Sequence, residues 1–280
     1  MNTDCLDHQL TEKERQEFDT KGYFIVENAL DADQCKNLIE ASKRADADFR
    51  QKNEYNTHRV SAVHDFIGYD QQFVDLLDWH KTFPKVWGLM GWNIQLYHSH
   101  MTITPPLPDD TPREPKRLGW HQDSPVLNAE MGTNPYPMIS LKVGFFLTDT
   151  RETNRGNFHI IPGSHLLKKI PPNDGLNPQG MTPVCIPAGS AAIFDRRIWH
   201  AASPNYWTET RRVLFYGYSY RWLRFRDDMS YAEPYRDTCN PIQSQLLFPP
   251  EIWGPGSGDN LPLRKWMEEN LSEETVASND

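Results

Sequence analysis

Ile94-Gln-Leu-Tyr-His-Ser-His-Met-Thr-Ile-Thr104 is the stretch at which the chain changes character from helix to strand. It is long, β-branched and aromatic, and it stops at Pro105-Pro106, which cannot continue a hydrogen-bonded ladder. Downstream, strands are expected at 139–148, 157–161, 183–187, 190–195 and 211–222, separated by Gly, Pro and Asn turns. Upstream the periodicity is helical. Thr11-Glu12-Lys13-Glu14 is a capping-box pattern for a helix to about Asp19, with Gly22 at its C-cap and Tyr23-Phe24-Ile25-Val26 as a short strand. Asp31-Ala32-Asp33-Gln34 opens a second helix, apolar at Cys35, Leu38, Ile39 and Ala41 and running to about Arg50. The polar stretch from Gln51 to Asp65 predicts a loop. Phe73, Leu76, Leu77 and Trp79, then Val86 and Leu89, mark two short helices. After Trp222 the pattern weakens to a short helix around Leu261–Glu269 and a polar tail from Ser272 to Asp280.

Helices first, then many punctuated strands, predict an α+β protein. Its core would be a double-stranded β-helix, the jelly roll, with the N-terminal helices packed on one sheet; this fold places ligands between its sheets. At 280 residues a single domain is expected: a helical part at about 8–92, the core at about 94–225 and an extension at about 226–280.

Hydrophobic content of 38% and charged content of 24% are those of a globular chain. A net charge of −9 argues against nucleic acid or an anionic membrane as the main partner and leaves a small molecule. Cys5, Cys35, Cys185 and Cys239 are too dispersed for a zinc finger or a disulfide framework. The first residues are polar and acidic without an apolar signal core, and no stretch approaches the ~18 apolar residues of a membrane span, so a cytoplasmic location is expected.

The chemistry is carried by Gly119-Trp120-His121-Gln122-Asp123 and, far downstream, Trp199-His200. His and Asp two residues apart on an extended segment point to the same side. With one distant His they make two imidazoles and one carboxylate, the facial set used for non-heme Fe(II) with positions left open for O₂. Arg211 opens an apolar strand, where its guanidinium could fork onto the far carboxylate of a dicarboxylate co-substrate. Arg212 faces the opposite side, and periodicity does not choose between them, because Val213/Phe215 and Leu214/Tyr216 are both apolar rows. His98 and His100 alternate on the first strand; as rival ligands they lack a third partner, and they read better as polar lining of a pocket. His165, just after a Pro-Gly turn, is expected to hold turn backbone, and His159 to pack. Arg196, Arg197, Arg221, Arg224 and Arg226 read as surface partners of Asp195, Asp227 and Asp228, or as one or two mouth residues for an anionic substrate. Trp120, Trp199 and Trp222 read as packing residues.

The set His121-Gln-Asp123, Leu141-Lys-Val-Gly-Phe-Phe-Leu147, Gly156-Asn-Phe-His-Ile-Ile-Pro-Gly-Ser-His165, His200 and Arg211 resembles the phytanoyl-CoA dioxygenase family, as does Leu10-Thr-Glu through Gly22-Tyr-Phe-Ile-Val26. The resemblance covers roughly residues 8–225. It implies Fe(II) held by His121, Asp123 and His200, and 2-oxoglutarate held through Arg211; the family's usual spacing from the distal His favours Arg211 over Arg212. Some members carry Lys where this chain has Thr104, and Ser where it has Ala202. Thr104 therefore stands at the co-substrate position, and Lys142 is the candidate replacement cation. Halogenating relatives replace the carboxylate ligand with a small residue, so Asp123 speaks against halogenation and leaves hydroxylation, desaturation or ring formation, hydroxylation being the simplest.

The expected activity is oxygenation by Fe(II), 2-oxoglutarate and O₂ of an unactivated C–H bond in a small substrate. A Zn²⁺ or Mn²⁺ hydrolase or isomerase on the same ligands, or a silent binding module, are the alternatives. Arg211 has no use in the first, and intact ligands disfavour the second. The mouth is expected from segments 51–66, 105–118 and the residues after Arg211, which hold Arg59, His64, Arg113, Lys116, Arg221 and Arg224 and so favour an anionic substrate.

Overall fold

The computed structural model describes residues 1–248 and 260–272. Their contacts form two compact units: 13–63 with 101–215, and 1–12 with 64–100 and the residues from 216 onward.

In the first unit, helix α1 (Glu12–Lys21) ends at Gly22, whose φ of +83° suits glycine and whose N–H donates to Phe18 O at 2.8 Å. Strand β1 (Tyr23–Val26) follows. The predicted cap at Asp31 is present: Gln34 N–H donates to Asp31 Oδ1 and Asp31 N–H to Gln34 Oε1, both at 2.8 Å, opening α2 (Ala32–Asn53). The expected loop from Gln51 is corrected here, because α2 continues to Asn53 and Ser61–His64 forms strand β2. Its polar composition hid a buried attachment: Ser61 Oγ donates to Asp46 Oδ1 at 2.6 Å, and Arg50 Nε reaches the other Asp46 oxygen at 3.0 Å.

The remaining strands are β3 (Ile94–Thr104), β4 (Ser140–Phe146), β5 (Phe158–Ile160), β6 (Asn173–Asp174), β7 (Asn177–Pro178), β8 (Thr182–Pro183), β9 (Ala191–Asp195), β10 (His200–Ala202) and β11 (Arg211–Tyr220). The unit's large sheet has the order β1-β9-β4-β11-β3, and its smaller one β10-β5-β8. The strand expected at 183–187 is cut to Thr182–Pro183, since Pro183 and Pro187 have no N–H to donate. The two antiparallel sheets enclose Phe146, Ala192, Phe194, Val213 and Phe215 from one side and Phe158 and Ile160 from the other. Each of these apart from Ala192 contributes about 1.5–3 kcal/mol by leaving water. The core is therefore a jelly roll, and its inward rows are settled: Val213 and Phe215 share a face with Arg211, and Phe146 shares one with Lys142. Gly144 is required in that row, because a Cβ there would meet the Phe215 ring at 2.8 Å.

In the second unit, Gly217 of β11 lies close against β3, where an added Cβ would meet His98 O at 3.0 Å. Tyr216 and Tyr218 donate through Oη to Phe73 O at 2.9 Å and Leu77 O at 2.7 Å, which fastens α3 (Gln71–Asp75) and its following turn. Helices α4 (Phe83–Met90), α6 (Pro241–Leu247) and α7 (Pro262–Asn270) complete it; α7 answers the expected C-terminal helix. In the first unit α5 (Pro125–Met131) follows Asp123. Neither α5 nor α6 was expected. Beyond Ser272 the predicted tail lies outside the described residues. No helix among the described residues is long and apolar enough to cross a membrane.

Candidate metal centre

Backbone pairing builds the centre. His121 N–H donates to His200 O at 3.0 Å and His200 N–H to His121 O at 2.9 Å, an isolated antiparallel bridge. Residues opposed in this way carry their side chains on one face, and the imidazole centroids are 4.3 Å apart. Asp123 N–H donates to Arg196 O at 2.9 Å, and its carboxylate joins the two rings. The extended segment is short, since Ser124 turns at φ +53° into α5.

The two rings are aimed in the same manner. Nδ1 of His121 lies 2.9 Å from Gly119 O, and Nδ1 of His200 lies 2.9 Å from Ile198 O. A carbonyl only accepts, so each Nδ1 carries hydrogen and a neutral ring presents its Nε2 lone pair. One ligand atom from each of His121, Asp123 and His200 lies within 4.8 Å of the others; among the described residues this is the one group of three or more such donors. His121 is exposed and the other two are buried, which leaves one open side. Phe158 and Phe194 wall His200 at centroid distances of 5.3 and 5.7 Å.

Burial pushes the His200 imidazole down to about 4 against the opposing pull of Asp123, which keeps it neutral and fit to ligate. Burial would raise the Asp123 carboxyl, but the Lys142 ammonium, His200 and His121 outweigh it and hold the group well below the usual carboxylate range. Lys142 Nζ stands 2.8 Å from Asp123 Oδ2, both side chains being buried. The donor set fits a divalent, non-heme metal.

Arg211 is fully enclosed. Its Nε and Nη2 find no acceptor among the described residues, and its guanidinium carbon lies 5.5 Å from the Phe146 ring centroid. Burial lowers its pKa to about 9, so it remains a cation at neutral pH. A buried guanidinium with open donors fits a carboxylate. Arg212 turns away and donates from Nη1 to Ser42 Oγ at 3.2 Å. Thr104 and Arg211 meet at Gly156, where an added Cβ would lie 3.3 Å from Thr104 Cγ2 and 3.5 Å from Arg211 Cβ. Thr104 Oγ1 is buried and also has no partner among the described residues.

Other expectations need correction. Arg196 and Arg197 are buried rather than superficial; the expected pairing of Arg197 with Asp195 is present, Nε donating to Oδ1 at 2.8 Å, while Arg196 Nη1 donates to Asn128 Oδ1. Arg221 is buried too. Trp222 is 58% exposed and stacks on Tyr220 instead of packing inside. His165 holds not its own turn but the end of α1, with Nε2 3.1 Å from Asp19 O. In the second unit His98 Nδ1 lies 2.7 Å from Asp227 Oδ1, and His100 Nδ1 lies 3.0 Å from His98 Nε2. The pairing of Lys142 with Asp123 was not foreseen; its only signal was a lysine inside an otherwise apolar strand.

The phytanoyl-CoA dioxygenase family model matches residues 18–213, well over half of the chain. The chain belongs to the phytanoyl-CoA dioxygenase family. That membership puts it in the class of Fe(II)- and 2-oxoglutarate-dependent oxygenases. Two uncharacterized proteins, from Mycobacterium bovis and Mycobacterium tuberculosis, are each 23% identical to it over 235 residues, covering 81% of this chain and 82% of theirs. Among solved structures, HygX from Streptomyces hygroscopicus, with nickel and 2-oxoglutarate bound, superposes with a TM-score of 0.59 at 13% identity, over 78% of this chain and 90% of that one. The carbocyclase SnoK from nogalamycin biosynthesis, described as non-heme and α-ketoglutarate-dependent, gives a TM-score of 0.53 at 17% identity, over 75% of this chain and 84% of that one. Both share the fold.

Proposed function

We propose that the whole chain works as one catalytic domain that hydroxylates an unactivated C–H bond of a small molecule, using Fe(II), 2-oxoglutarate and O₂. The observation that carries this reading is the pairing of a two-His, one-carboxylate centre with a buried arginine whose donors find no acceptor. His121, Asp123 and His200 would hold the metal, and Arg211, with Thr104 beside it, the far carboxylate of 2-oxoglutarate. When bound, iron and the keto acid supply the oxidising power, with succinate and CO₂ as co-products.

The protein's own part is orientation and exclusion of water. The carbonyls of Gly119 and Ile198 keep both Nε2 atoms aimed at one point. Phe158 and Phe194 keep water from the His200 side, and the exposed His121 side leaves an approach for substrate. A hydrolase on the same ligands would have no role for Arg211. The exposed Arg59, Arg113 and Lys116 support a substrate bearing a carboxylate, phosphate or similar anionic group.

The test is spectroscopic. Anaerobic protein with Fe(II) and 2-oxoglutarate should develop a weak visible charge-transfer band that His200→Ala removes. Full retention of the band in that variant would refute the ligand assignment. Substrate candidates are then screened by coupled release of succinate and oxidised product.

A further inference from the structure

Lys142 has an unusual place in the metal centre, and the role assigned to it rests on the metal- and 2-oxoglutarate-binding reading of that centre. It lies on β4, in the inward row that also carries Phe146 into the apolar core, and it is 3% exposed. A buried ammonium needs an anion, and Asp123 Oδ2 at 2.8 Å supplies it. The same oxygen is 4.0 Å from His200 Nε2, so it faces the point at which the two imidazoles converge with the carboxylate. An ammonium and a divalent metal therefore contend for one carboxylate oxygen.

The charges sharpen this. At the centre the buried ammonium of Lys142 and the two imidazoles act on one buried carboxylate, Asp123. A metal dication adds positive charge there, and a dianion relieves it.

We propose that Lys142 is the resident counter-ion of the metal-free centre: the metal displaces its ammonium from Asp123, and a carboxylate of the dianionic co-substrate then takes that ammonium. Metal alone binds weakly because an ion pair must be broken. Co-substrate alone binds weakly because the ammonium is engaged. Together they bind cooperatively, and each raises the affinity of the other by the same factor.

The experiment titrates redox-inert Ni(II) calorimetrically into metal-stripped full-length protein, with and without saturating 2-oxoglutarate. Wild type is compared with Lys142→Met, Lys142→Arg and His200→Ala. In wild type, 2-oxoglutarate should tighten Ni(II) binding by about tenfold or more. In Lys142→Met, Ni(II) alone should bind about tenfold more tightly than in wild type, and the gain from 2-oxoglutarate should shrink by a similar factor. Lys142→Arg keeps the charge and should keep the wild-type pattern. If Lys142→Met does not fold, Lys142→Gln is measured in its place. Unchanged Ni(II) affinity and unchanged gain in the neutral variant, with binding still lost in His200→Ala, overturn the counter-ion role and leave the metal centre standing. Wild type that binds no Ni(II), or His200→Ala that binds as wild type does, overturns both.

Discussion

Arg211 and Phe146 face each other inside the sandwich, the guanidinium carbon 5.5 Å from the ring centroid. With an aromatic ring near it, the cation keeps open donors at Nε and Nη2. A charge-assisted contact to a carboxylate is worth about 1.5–3 kcal/mol. Arg211→Leu should therefore raise the Kd for 2-oxoglutarate by about ten- to a hundredfold. Arg212→Leu, which removes the contact to Ser42 and the attraction to Asp46 and Glu40, should leave that Kd within about threefold and lower thermal stability instead. Measuring 2-oxoglutarate binding in both variants decides; the reverse pattern would place the co-substrate on the other face of β11.

Metal should act as a stabilising ligand of the folded state alone. Free Ni(II) at about a hundred times its Kd adds about 2.7 kcal/mol, a rise in Tm of several degrees for a chain of this size. A chelator should reverse the rise, and His121→Ala should lack it. A metal-dependent rise of the same size in that variant would move the centre elsewhere.

Gly144→Ala tests the packing that supports the centre. The new Cβ meets Phe215 Cε1 at 2.8 Å, and that ring is held in turn by Phe158 and Phe194 at centroid distances of 6.2 and 6.1 Å. Overpacking of this kind costs about 1–3 kcal/mol. A melting curve matching wild type would mean that the ring can step aside.

Asp65 gives a pH signature in the second unit. Burial, and then Asp227 and Asp228, raise its carboxyl to about 7. Because the folded pKa lies above the unfolded one, the folded state binds the extra proton, and stability falls as pH climbs from about 4 to about 7. Asp65→Asn removes the charge and tolerates the left-handed backbone at φ +52°. It should stabilise the protein at pH 8 by on the order of 2 kcal/mol and do little at pH 4. Equal effects at both pH values would show that Asp65 does not titrate in this range.

Much of this was legible in the residues. The β-branched run from Ile94 and the Asp31/Gln34 cap announced themselves by local chemistry, which needs no distant partner. His121 and Asp123 alone were a weak signal, since short His-Asp pairs arise by chance; the Pro-rich loop before them and His200 and Arg211 downstream made the set stand out. The inward row of β11 was not legible, since both of its rows are apolar; burial against α2 on one face and against Phe158 on the other decided it. Pro125 after Ser124 and Pro241 after Asn240 are first-turn prolines, and they were the available signals for α5 and α6. Trp222 was misjudged because the chain leaves the sheet at Tyr220, with Leu223 N–H closing a turn onto Tyr220 O.

The bridge between His121 and His200 also sets when the centre can exist. Its halves are about 80 residues apart, so closing it costs loop entropy that only a finished pair of sheets repays. A nascent chain that has emerged only past Asp123 offers one imidazole and one carboxylate, a weak chelate with no claim on scarce metal. On the proposed ligand set, loading would wait for synthesis of His200 and for the small sheet to close. With that ligand set, metal content would report completed folding, because only a chain with both halves of the bridge in place offers all three donors.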